Sequence, residues 1–207
     1  MSRSIARLVS LPLALSLSLA ACADQEGETG EPISSQESAA TTAAVEGVVV
    51  AMAPAGSGSL ATIAASYRAA FGLGGLGCAT VATDDLTFVT VSFSCTGLLA
   101  TTGSIHLQLT SPTKLEATAE LTIGGASGVS IDGAFEVNVP ADPAAQRSFE
   151  GELTIEGPRR TLAADASASW TANGRCVTYS ASGNIAAEGP RGSASATFDV
   201  DARTVCH

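Results

Sequence analysis

The side chains of this chain that could do chemistry are its carboxylates, one interior histidine and five cysteines. Glu116, Glu136 and Glu150 each stand in a run where polar and apolar residues alternate, so all three belong to the solvent-facing set of a half-buried strand. If the loops set Glu116 opposite Glu136 and Glu136 opposite Glu150, three carboxylates line up about 5 Å apart at Cβ. Such a row could hold a hard cation such as calcium, which takes several oxygen ligands, but no Asp-x-Asp-x-Asp loop accompanies it. The reading that fits is a solvated acidic face that keeps a sheet soluble, with no metal and no cofactor. One row along, the same phase sets His106 opposite Glu120 and Glu120 opposite Asp132, an imidazole oriented by carboxylates. Catalysis would also need a nucleophile. The chain has no Gly-x-Ser-x-Gly elbow, and Ser104 and Ser130 are ordinary strand residues, so an exposed cross-strand ion pair is expected and no catalytic residue is assigned. Gly72-Leu-Gly-Gly-Leu-Gly77 precedes a strand instead of opening a helix, which suits a hinge and not a phosphate cradle.

These residues depend for their placement on a succession of alternating segments from Ser104 to Val200. Ile105, Leu107 and Leu109 point one way; Leu115, Ala117, Ala119, Leu121 and Ile123 do so in the next segment, and Val129, Ile131, Gly133, Phe135, Val137 and Val139 in the third. Opposed residues of an antiparallel pair share a face, so each loop must bring inward positions opposite inward positions. The loop 124–128 sets Leu121 against Ile131, the loop 140–146 sets Val137 against Phe149, and the loop 157–160 sets Leu153 against Ala164 and Arg147 against Trp170. Asn173-Gly174 is a strong hairpin signal that sets Trp170 against Val177, and a turn near Glu188-Gly-Pro-Arg191 sets Ile185 against Ala194. Ser111-Pro-Thr-Lys114 satisfies the same rule only with a bulge or an odd loop.

Before the meander, Ser59 can cap a helix whose Leu60, Ile63, Ala64, Tyr67 and Phe71 line one face. Val45, Val48, Val49 and Met52 also fall at helical spacing, while Val48-Val-Val50 equally allows a strand, so that segment stays open. The late inward positions Ala164, Ala166, Ala168 and Ala181 are shallow. Either helix 59–71 presses closely there or a groove is left for a lipid-like ligand. The expected fold is mainly β: about nine antiparallel strands in up-and-down order forming a curved sheet, in preference to a sandwich or closed barrel, with one N-terminal helix packed on it.

Arg3 and Arg7, the apolar run Leu8 to Leu19 and then Leu19-Ala-Ala-Cys22 form a secretory signal that ends as a bacterial lipobox does. By that resemblance residues 1–21 are removed and Cys22 carries the lipid, anchoring the chain to a membrane of the bacterial cell envelope, the outer membrane on its periplasmic face or at the cell surface. Removal leaves 8 basic against 20 acidic residues, a net of about −12, which argues against nucleic acid as partner. Residues 22–44, rich in Ser, Thr, Ala, Gly and Glu, read as a flexible tether, and 45–207 as one β-rich domain.

Cys78, Cys95, Cys176 and Cys206 are an even number in an exported chain and read as two disulfides, Cys78–Cys95 and Cys176–Cys206. A zinc site is disfavoured, because no Cys-x-x-Cys is present and only His106 and His207 could help. The simplest hairpins set Cys78 opposite Val91 and Cys176 opposite Arg203, so each bridge needs an offset, a bulge or a strand end that leaves the ladder. The segments Gly77-Cys-Ala-Thr-Val-Ala-Thr-Asp-Asp85, Phe88-Val-Thr-Val-Ser-Phe-Ser-Cys-Thr-Gly97 and Gly103-Ser-Ile105 resemble a pattern in β-rich, cysteine-paired bacterial lipoproteins of unknown function, departing from it at Ser94, where Gly is commoner. The resemblance implies no activity. The function expected is non-enzymatic: a structural, adhesive or binding lipoprotein, with a carrier of a lipid-like ligand second and a hydrolase third.

Overall fold

The computed structural model describes residues 30–72, 76–84, 87–96, 100–124, 128–156, 159–174, 176–190 and 192–206. The signal segment 1–21, Cys22 and the start of the expected tether lie outside the described residues, as does His207. Two helices, α1 (Ser35–Met52) and α2 (Leu60–Phe71), precede nine strands: β1 (Ala79–Asp84), β2 (Phe88–Ser94), β3 (Thr101–Ser111), β4 (Lys114–Ile123), β5 (Val129–Asn138), β6 (Arg147–Glu156), β7 (Thr161–Asn173), β8 (Cys176–Gly189) and β9 (Gly192–Cys206). Each strand pairs antiparallel with the next in chain order, and β1 and β9 remain the two edges. The meander is therefore one open sheet, not a sandwich or a barrel, and it carries two helices where the sequence suggested one.

Loop parity predicts the central registers correctly: Leu121 faces Ile131, Val137 faces Phe149, Leu153 faces Ala164 and Arg147 faces Trp170. The irregularity required at 111–114 is a bulge, since Leu109 faces Leu115 while Ser111 faces Lys114. Two hairpins turn one residue later than expected. Their strands close at Asn173–Cys176 and Gly189–Gly192, so Trp170 faces Tyr179 instead of Val177, and Ile185 faces Ala196 instead of Ala194. Asn173 ends the strand, and Gly174 takes the positive φ, +61°, that begins the turn. A slip of two residues keeps every side chain on its own face, so hydrophobic phase alone cannot choose between these registers.

The expected tether ends sooner than the composition suggested. Residues 35–44 are the first half of α1, and Val45 to Met52, left open between helix and strand, are its second half. Ser34 and Glu37 form a capping box: the Glu37 amide donates to Ser34 Oγ at 3.3 Å, and the Ser34 amide donates to Glu37 Oε2 at 2.8 Å. Small side chains do not mark this segment as tether; they let the helix approach the sheet. Thr41, Ala44, Val45, Val48, Val49 and Met52 are buried, and a Cβ on Gly47 would collide with the Ile123 side chain. α1 lies against β4 to β9, so it is α1, not helix 59–71, that covers the shallow alanines Ala164, Ala166, Ala168 and Ala181. α2 forms as expected, with Ser59 Oγ accepting from the Thr62 amide, and packs on β1 and β2 through Ile63, Ala64, Tyr67 and Phe71.

Candidate functional site

With one face of the sheet under helices, the outer face carries the exposed polar set. Register runs a single outward row across the strands, from Phe88 through Gln108, Glu116, Glu136 and Glu150 to Ser167. The three expected carboxylates are thus adjacent across β4, β5 and β6, and all are exposed. Lys114 changes their balance, because its ammonium forms an ion pair with Glu136 and so places a positive charge within the row. This bond, and then the Glu136 and Glu150 charges, raise the Lys114 pKa above its ordinary value. Among the described residues no group of His, Cys, Asp and Glu could hold a metal ion.

The expected pair of His106 and Glu120 does not form. The bulge at 109–111 sets His106 opposite Thr118 and Glu120 opposite Ser104; Asp132 does face Glu120 as expected. The imidazole turns to the other side, where Nδ1 shares a hydrogen bond of 2.9 Å with Thr90 Oγ1. Its ring lies edge to face with Phe88, centroids 6.5 Å apart. Phe88, His106, Gln108, Glu116 and Thr118 bound a depression of about 260 Å³ on the outer face of β2 to β4. Alternation alone could have found this group, because all five are outward positions of neighbouring strands; a Phe in an outward position was the signal overlooked.

A second polar cluster fastens α1. Arg160, on the β6–β7 connection, donates through Nε to Glu37 Oε1 at 2.8 Å and through Nη2 to Glu37 Oε2 at 3.2 Å, and its Nη1 and Nη2 reach the Glu31 and Pro32 carbonyls. Glu37 is only 3% exposed. The Arg160 hydrogen bonds, helped by those from Ser34 and opposed by burial, hold its pKa down at about 2. Further along, the Tyr179 hydroxyl donates to Glu46 Oε2 at 2.8 Å and Arg203 Nε pairs with the same oxygen at 3.0 Å. Burial, then the Glu46 bond, pushes the Tyr179 pKa up. At the end of the helix Arg147 Nη1 donates to the Ala53 carbonyl at 3.1 Å, a cation placed where the helix dipole is negative. The Ser34-x-x-Glu37 spacing is the sequence signal for the first of these contacts; the arginines are distant in sequence and carry none.

Both expected disulfides are present, Cys78–Cys95 and Cys176–Cys206. Asp84 pairs with Phe88 across a three-residue loop, which brings Cys78 level with Ser94 and so beside Cys95. In β9 a bulge between the Tyr179–Arg203 and Ala181–Val200 pairs, with Ala202 at φ 39°, restores Cys176 opposite Cys206. Two disulfides mark a domain of a non-cytoplasmic, oxidising compartment. No described helix is long and apolar enough to cross a membrane. Compared with protein-family models, curated proteins and solved structures, the chain finds no match.

Proposed function

We propose that the protein is a lipid-anchored, non-enzymatic module of the bacterial cell envelope whose structural, adhesive or binding role is exercised by the outer face of its sheet. The observation that carries this reading is the contrast between the two faces. α1 and α2 bury Val45, Val48, Ile63, Tyr67 and Phe71 against one, and between the helices and β2–β3 there is a void of only about 10 Å³. The other face is an exposed grid of carboxylates, hydroxyls and amides fixed by cross-strand register. A rigid grid on a tethered domain suits presentation to a partner, whereas a groove for a lipid-like ligand would have to displace the chain's own helix. The anchoring half rests on Leu19-Ala-Ala-Cys22 after a charged start and a short apolar run. Metabolic labelling with palmitate tests it: the parent chain incorporates label and fractionates with membranes, and Cys22→Ser abolishes both. Label retained by Cys22→Ser would overturn the reading.

A further inference from the structure

We infer that the depression over β2 to β4 binds a neutral saccharide, an inference that rests on the presenting role proposed above and names what is bound. Phe88 is the one aromatic residue on the outer face among the described residues. The other five phenylalanines, both tyrosines and Trp170 are all buried against the helices or within the core. A half-buried ring on the outer face adds nothing to the core, so its place at the edge of a depression of about 260 Å³ points to a ligand with an apolar face.

The surrounding groups define the rest of that ligand. The Gln108 amide and the Thr118 hydroxyl each donate and accept, Glu116 accepts, and the exposed His106 uses Nδ1 on Thr90. Glu116 has neither an ion pair nor a hydrogen bond among the described residues. A sugar ring presents C–H bonds on one face and hydroxyls at its rim, each both donor and acceptor, which is the complement of this lining. The Glu116 carboxylate in the lining repels anions, which disfavours uronic or phosphorylated sugars. An alkylammonium would suit Phe88 and Glu116 but offers no acceptor to the Gln108 and Thr118 donors, which a sugar hydroxyl does. In the serine-lined depression over β6 to β9 the aromatic residue, Phe149, is buried, and in the hollow near β7 Arg160 is spent on Glu37 and Arg159 on Glu31, so neither competes.

Saturation-transfer NMR and titration calorimetry decide the matter on the full chain, in a detergent without a sugar headgroup, with maltose, cellobiose and chitobiose as probes. At least one is expected to bind. Phe88→Ala should then weaken it roughly ten-fold or more, as loss of an aromatic contact does; Glu116→Gln should weaken it less, and Glu150→Gln, outside the depression, not at all. Thermal melts accompany each variant; if Phe88→Ala melts early, the exposed Gln108→Ala takes its place with the same expected loss. The inference is overturned by no transfer to any of the three sugars, by binding indifferent to both substitutions, or by preferential binding of putrescine. If the sugars fail while palmitate labelling succeeds, this inference falls and the anchoring reading stands.

Discussion

Glu37 is buried yet ionised, and its charge is matched by two Arg160 nitrogens and two Ser34 groups. Its folded pKa, about 2, lies below its ordinary 4.5, so the stabilisation it gives is fully present above pH 4.5 and is lost as pH falls toward 2. A shift of this size corresponds to about 3 kcal/mol. Urea midpoints across that range should show the parent losing this component, and Glu37→Gln lacking it at pH 7 but converging on the parent near pH 2. A gap that persists unchanged at low pH would assign the effect to packing instead. Glu136 is the opposite case, exposed and already paired with Lys114. Glu136→Gln removes that pair but also relieves repulsion from Glu116 and Glu150, and exposed terms of this kind are small, so stability should change by less than about 0.5 kcal/mol. Melts of parent and variant, with calcium and with chelator, are expected to overlay; a calcium-dependent rise abolished by the substitution would restore the cation reading.

The β8–β9 hairpin shows at the scale of elements what a sequence does and does not reveal. Alternation places Tyr179, Ala181, Ile185 and Phe198 on the buried side, and the cysteine pairing follows from order alone, so both were legible. The bulge that reconciles them was not, because an extra residue at Asp201 and Ala202 has no composition signal: Ala202 is an ordinary residue at positive φ. The same limit explains His106, whose partner changed with a bulge in the β3–β4 hairpin, and the two late turns, whose two-residue slips are invisible to phase. α1 was obscured for another reason. In its first half the buried residues are Glu37, Thr41 and Ala44, so the usual sign of an amphipathic helix, large apolar residues at spacings of three and four, is missing there, and in its second half the β-branched run Val48 to Val50 suits a strand as well. The Cys176–Cys206 bridge closes a separation of 30 residues and should stabilise by about 3 kcal/mol in the chain-entropy account. Cys176→Ala with Cys206→Ala is expected to lower the denaturation midpoint accordingly. Hydrogen exchange should quicken at 203–206, beyond the bulge, while 194–198 near the turn stays protected; uniform loss along β9 would mean the bulge does not separate two halves of the strand.

An open sheet of nine strands has two problems as a whole molecule: an apolar face and two edges. The edges are guarded differently. β1 is flanked by α2, whose Arg68 Nη2 reaches the Val81 carbonyl at 3.4 Å, while β9 carries the bulge, Asp199 and Asp201, and meets the Gly30 amide at Ser193. The apolar face has no second sheet to cover it, and many of its residues on β7 and β8 are alanines, which leave space that side chains of the sheet cannot fill. α1 fills it and, with Arg160, Arg203 and Arg147 holding its start, middle and end, is as much a part of the core as any strand. Val48 should therefore be intolerant of change although it lies in a helix with little amphipathic pattern. Val48→Ala opens a cavity at a fully buried site and should cost about 2 kcal/mol, whereas Val48→Asp buries a charge with no partner and should prevent cooperative folding. A chain lacking residues 30–53 should likewise bind a hydrophobic dye and melt without a sharp transition, because the bared face cannot close on itself while β1 and β9 stand at opposite ends of the sheet. A cooperative melt of that truncated chain, free of dye binding, would show instead that the sheet is self-sufficient and that α1 is an accessory able to leave its groove.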